Sequence, residues 1–94
     1  MQIDVKLSLG GDSFEAKVDG KHAGRLDLVR RGAVIVYPHT VVDPEFEGRG
    51  VGSELVRVAL DAARAEGVTI VPSCWFVKGW IERHPDYADL VEGP

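Results

Sequence analysis

The stretch from residue 33 to residue 71 restricts the fold most: a single amphipathic helix lies between two runs that are apolar at consecutive positions. Val51, Leu55, Val58, Ala59 and Ala62 recur at the helical period, Val56, Leu60 and Ala63 widen the stripe, and Arg57, Asp61 and Arg64 lie opposite. Gly67 follows as a C-cap residue. Residues 33–37 and 68–71 read as strands covered on both faces. A helix joining two such strands is a crossover, which predicts that the fourth and fifth strands run parallel.

The residues before this unit alternate. Ile3, Val5, Leu7 and Leu9 share one face with Asp4, Lys6 and Ser8 on the other, Gly10-Gly11-Asp12 turns the chain, and Phe14, Ala16 and Val18 resume the pattern. Asp19-Gly20 marks a second turn, and a third strand over residues 23–30 carries Leu26 and Leu28, with Gly24 at a bulge position. These three strands form an antiparallel meander. The fourth, residues 33–42, contains Pro38, which cannot donate to a ladder, so the sheet is expected to open there. A short helix over residues 77–83 and an apolar tail (Tyr87, Leu90, Val91) complete a single domain of residues 1–94. The expected architecture is α/β (α+β): a mixed five-stranded sheet with one main and one short helix.

Composition narrows the function. The start of the chain lacks the basic end and apolar run of a signal peptide, and no run is long enough to cross a membrane, so a cytoplasmic protein without a membrane partner is expected. Cys74 is the only cysteine, and with His22, His39 and His84 scattered it has no zinc spacing. The net charge of −4 comes without a basic cluster, which argues against nucleic acid.

The sharpest feature is Glu47-Gly48-Arg49-Gly50-Val51-Gly52-Ser53, at the mouth of the helix. Alternate glycines let N–H groups converge where the positive end of the helix dipole adds to them, which suits a phosphate, and Arg49 adds a positive charge. A dinucleotide fingerprint fails because Ser53 stands where it needs glycine; a Walker loop fails because no lysine lies between Lys21 and Lys78.

The remaining pattern resembles the GNAT superfamily of acetyl-CoA-dependent N-acetyltransferases. The resemblance is carried by His39-Thr40-Val41-Val42, the GxGxG loop, Pro72-Ser73-Cys74-Trp75-Phe76-Val77, and Arg83-His84-Pro85-Asp86-Tyr87. Together these resemble a minimal single-domain branch with HT, GxGxG, PxCxFV and RHPxY motifs. The resemblance implies that the fourth and fifth strands splay and that acyl-CoA enters the gap. Its pantetheine would pair with Thr40, Val41 and Val42, and its pyrophosphate would sit on the N–H groups of Gly48, Arg49, Gly50, Val51, Gly52 and Ser53. The acceptor, an unidentified primary amine, would approach from the other side. Glu47 and Val41 depart from the pattern, which usually has Gln or Arg at the first position and often an acid at the second.

With no carboxylate base on that strand, the residues left for the chemistry are His39, whose imidazole suits proton acceptance, and Cys74, whose thiolate can carry the acyl group. His84 is expected to close the short helix through its carbonyls, Tyr87 to anchor the tail although its phenol also suits protonation of a departing thiolate, and Trp75, Phe76 and Trp80 to form core and cleft wall. The expected function is acetyl transfer from acetyl-CoA to an amine; the alternative is a non-catalytic acyl-CoA-binding or protein-interaction module.

Overall fold

The computed structural model describes residues 1–93. Strands β1 (Ile3–Leu7), β2 (Ser13–Val18) and β3 (Lys21–Asp27) form the expected meander, and β6 (Thr40–Val42) joins it to give an antiparallel sheet in the order β1-β2-β3-β6. A second sheet holds β4 (Val29–Arg31), β5 (Val34–Val36) and β7 (Thr69–Val71) in the order β4-β5-β7, with β5 and β7 parallel as the crossover requires. Helix α1 (Val51–Glu66) lies over the first sheet, and α2 (Trp75–Arg83) leads into a 3-10 turn, Pro85–Leu90.

Two of the five expected strands are broken. The third divides at Leu28, whose buried side chain and hydrogen bond to Asp12 O (3.0 Å) turn the chain from one sheet into the other. The fourth divides at Tyr37-Pro38-His39, where the sheet was expected to open. Tyr37 still pairs on the β7 side, donating its N–H to Val71 O at 3.1 Å and accepting from Cys74 N at 2.9 Å; two residues on, His39 O accepts from Asp27 N at 2.9 Å on the β3 side. The chain thus changes partners within one turn, and the change opens a gap between β6 and the start of α2.

The core lies between α1 and the sheets. The fully buried stripe of α1 is Val51, Gly52, Leu55, Val56, Ala59, Leu60 and Ala63, while Val58 and Ala62 are half-buried at its border. Gly67 ends the helix in the left-handed region (φ 74°), as the C-cap reading requires. The bulge falls beside Gly24: the register slips between Ala16 and Lys17, placing Gly24 opposite Ala16 and His22 opposite Lys17. A Cβ on Gly24 would lie 2.7 Å from Val41 O, so the close approach of β3 to β6 depends on glycine.

On the outer face, His22 bridges Glu15 (Nε2 to Oε1, 2.9 Å) and Asp43 (Nδ1 to Oδ2, 3.3 Å), tying β2 and β3 to the end of β6. The hydrogen bond to Glu15, and then the one to Asp43, raise the imidazole pKa from its ordinary value of 6.5. A raised folded-state value adds stability that is complete below the unfolded value and fades as pH rises through the folded one. Thermal melts should therefore show a stability component that falls from pH 6 to pH 8. The bridge is solvent-exposed, so the component should be under about 1 kcal/mol. It should vanish in His22→Gln; an equal pH slope in that variant would assign it elsewhere.

Candidate functional site

The mouth of α1 is built from the glycine loop. Gly48 (φ 76°) and Gly50 (φ 84°) are left-handed, and Gly50 is the N-cap residue, its carbonyl accepting from Glu54 N at 3.0 Å. Among the described residues the N–H groups of Gly48, Arg49, Gly50, Val51, Gly52 and Ser53 have no backbone acceptor. All of these residues but Arg49 border a pocket of about 210 Å³, whose other walls are Val42, Phe46, Glu47 and Phe76. The Phe76 ring packs so closely on Gly52 that a Cβ there would lie 2.7 Å from Cζ. Convergent peptide donors at a helix mouth with apolar walls form a cradle for an anion attached to a less polar group.

Beside this pocket runs β6. Asp27 N bonds to His39 O and Asp43 N to Ala23 O (2.8 Å), so the antiparallel alternation turns the peptide groups of Val41 toward β3 as well. Those of Thr40 and Val42 face the gap. Of the three residues expected to pair with pantetheine, Val42 presents its main-chain groups to it and Thr40 its carbonyl, the Thr40 N–H lying against the Cys74 sulfur, while the Val41 side chain projects from the outer surface, 40% exposed.

Cys74, the N-cap residue of α2, is buried behind the residues that line the pocket. Its Sγ lies 3.4 Å from Thr40 Oγ1. Burial pushes the thiol pKa up, but the Thr40 hydroxyl and the peptide groups of Val77, Phe76 and Thr40 together outweigh it, so Cys74 titrates below an ordinary thiol. No geometrically complete capping bond to Sγ forms in the first turn of α2; those peptides act as nearby dipoles.

The structure separates the two residues expected to carry the chemistry. His39 pairs at 3.7 Å with Asp27, its cross-strand neighbour, on the outer face of the sheet. Leu26, next to Asp27, is buried under α1, and Thr40, opposite Leu26, points to Cys74. Strand alternation therefore puts the His39 imidazole and the Cys74 thiol on opposite faces of the gap.

The aromatic residues divide. Trp80 is buried, donates Nε1–H to Ser53 Oγ at 2.8 Å, stacks on His84 (3.8 Å between centroids) and meets Tyr87 edge-on (5.0 Å). His84 bonds through Nδ1 to Trp80 O at 2.7 Å, and Tyr87 donates its hydroxyl to Asp61 Oδ1 at 2.7 Å. His84 thus closes α2 and Tyr87 anchors the tail to α1, as expected. Trp75 departs from expectation: it is 83% exposed at the first position of α2, touching Phe76 edge-on at 6.0 Å between centroids. Sequence reasoning missed Asp27, the only carboxylate paired with His39 among the described residues; its signal was its place one residue after the buried Leu26, on the opposite face of the strand.

A family model described as GCN5-related N-acetyl-transferase matches residues 13–90. Over 47 residues the chain is 30% identical to Protein NATD1 of Xenopus tropicalis, covering 50% of this chain and 43% of that protein. Over 52 residues it is 27% identical to Protein NATD1 of Homo sapiens, covering 55% and 46%. The chain thus spans about half the length of the curated relatives it matches. A GCN5-like protein from Staphylococcus aureus superposes with a TM-score of 0.74 at 25% identity, covering 97% of this chain and 89% of that one. The ribosomal-protein-S18-alanine N-acetyltransferase of Escherichia coli gives 0.65 at 21% identity, with 77% of this chain and 50% of that one covered. The PaiA N-acetyltransferase of Thermoplasma acidophilum, solved with coenzyme A, gives 0.58 at 14% identity, covering 79% and 48%. At these lower identities the likeness is one of fold.

Proposed function

The chain belongs to the GCN5-related N-acetyltransferase family, and from that premise we propose that it transfers an acetyl group from acetyl-CoA to a primary amine. One observation carries the reading: a run of unpaired peptide donors at a helix mouth opens beside a splayed strand whose Thr40 contacts a buried, acidified thiol.

The N–H groups of residues 48–53 hold the diphosphate, and the exposed main-chain edge at Thr40 and Val42 pairs with the pantetheine amides. Arg49 adds charge at the loop surface, partly opposed by Glu47, which lines the same pocket. Cys74, its thiol proton lost to solvent, attacks the acetyl carbonyl as thiolate, the bond from that carbon to the CoA sulfur breaks, and the CoA thiolate takes a proton from solvent. The amine then attacks the Cys74 thioester and gives up its proton to His39, while Cys74 leaves as thiolate. His39 stands on the outer face of the sheet with Asp27 Oδ2 3.7 Å from its Nδ1, and in this reading the acceptor enters from that face and the donor from the other.

Titration calorimetry with acetyl-CoA tests the loop, and turnover of a panel of amines tests the transfer. In Gly50→Val the new Cβ meets no atom, but a β-branched residue in the left-handed region costs about 1–2 kcal/mol, which the loop relieves by changing its backbone course. Affinity for acetyl-CoA should then fall at least about tenfold with the circular dichroism spectrum retained. Unchanged affinity would move the diphosphate away from this loop, and binding without turnover of any amine would leave an acyl-CoA-binding module.

A further inference from the structure

We infer that β1 is a homodimerisation edge, along which two copies pair antiparallel about Val5 and join their four-stranded sheets into one of eight. β1 is outermost in its sheet, with no strand beyond it among the described residues. Gln2 O accepts from Asp19 N (3.3 Å) and Ser8 N donates to Ser13 O (2.8 Å), so the two-residue period turns the peptide groups of Asp4 and Lys6 toward β2 as well. Those of Ile3, Val5 and Leu7 point outward. A two-fold axis at Val5 sets Val5 against the partner's Val5 and Ile3 against the partner's Leu7. These are the residues whose N–H and C=O groups are free, so each such pair can exchange both of its hydrogen bonds.

The charges select the same register. With Val5 on the axis, Asp4 lies opposite the partner's Lys6. Within one copy Asp4 already neighbours Lys17, and Lys6 neighbours Glu15. The joined sheets therefore carry a row of Lys17, Asp4, the partner's Lys6 and the partner's Glu15, alternating in sign at every step. Moving the axis one residue toward either end would put Asp4 against the partner's Asp4 or Lys6 against the partner's Lys6, and like charges directly opposite are destabilising. Edge strands commonly carry charges that repel a second strand; these charges complement their own copy.

The apolar side agrees. Ile3 and Val5 are only partly covered by the core, Leu7 is exposed and Leu9 fully so, as is most of Met1. In the Val5 register Leu7 is covered by the partner's Ile3, and Leu9 and the partner's Met1 lie just beyond the paired strand ends. The gap beside β6 lies at the opposite edge of the same sheet, so pairing leaves it open in both copies.

Sedimentation equilibrium from micromolar to millimolar protein should show the mass rising from 10.2 kDa toward twice that value. Lys6→Glu and Asp4→Lys should each raise the concentration at the midpoint at least about tenfold, since each places like charges across the axis twice. An equimolar mixture of the two variants should recover association, because the acidic strand of one then faces the basic strand of the other. Amide exchange on the wild-type chain reads the edge directly: the Val5 N–H should become protected as concentration rises. A mass that stays at 10.2 kDa throughout, a mixture no more associated than its components, or a Val5 amide that exchanges equally fast at both extremes would overturn the assignment.

Discussion

Gly24→Ala is expected to lose roughly 2–4 kcal/mol of folding stability, lowering the melting midpoint by roughly 10–20 °C in a domain of this size. The added methyl carbon would sit 2.7 Å from Val41 O, 3.3 Å from Val42 Cα and 3.4 Å from Val51 Cγ1. Two of these atoms are backbone, so no rotamer change relieves the clash; either β6 must part from β3 or α1 must lift. Because β6 is the wall that presents Thr40 and Val42 to the gap, acetyl-CoA binding should weaken at temperatures where the variant is still folded. Differential scanning calorimetry checks the first effect and titration calorimetry the second. A midpoint within a few degrees of wild type would mean that β3 and β6 are not held as closely as described.

The largest effect on activity is expected at Cys74. Incubation with acetyl-CoA alone should add about 42 Da, one acetyl group, to that residue, and Cys74→Ala should take up none and lose at least about 100-fold in amine turnover. Cys74→Ser should fail similarly, because a serine hydroxyl stays protonated at neutral pH. The pH profile supplies a finer check. Thiolate grows as pH rises through the thiol pKa, and that value is depressed by the Thr40 hydroxyl and the α2 peptides. The acetylation rate should therefore level off at a lower pH than for an ordinary thiol, and Thr40→Val should move the plateau to higher pH. Full turnover by Cys74→Ala would eliminate the covalent route and leave direct attack on the thioester.

Local signals made the crossover unit legible. A helical period between two doubly apolar runs forces one outcome, and Gly67 and Pro38 mark the end of α1 and the opening of the sheet by chemistry that needs no tertiary context. The division of the third strand was hidden because Leu28 carries no turn residue; its turn is imposed by a contact with Asp12, sixteen residues earlier. The same holds in the site. The anion-binding character of residues 47–53 follows from glycine spacing, whereas the facing of His39 and Cys74 depends on the register of β3 with β6, which a single sequence does not state. Trp75 misleads for a related reason: it directly precedes Phe76, which packs on Gly52, and helical geometry then turns the larger ring outward.

Ser53 accepts the Trp80 indole N–H on its hydroxyl oxygen, which fixes that side chain and leaves one O–H donor beside the peptide groups. What the mouth of α1 offers a guest is mostly amide hydrogen, an atom that nearly every residue type supplies in the same way. Recognition written in such common atoms is insensitive to drift in the side chains around it and vulnerable to any change in the path of the main chain. A lineage keeping this mouth would be free to vary Glu47 or Arg49 while holding the torsions of Gly48 and Gly50 fixed.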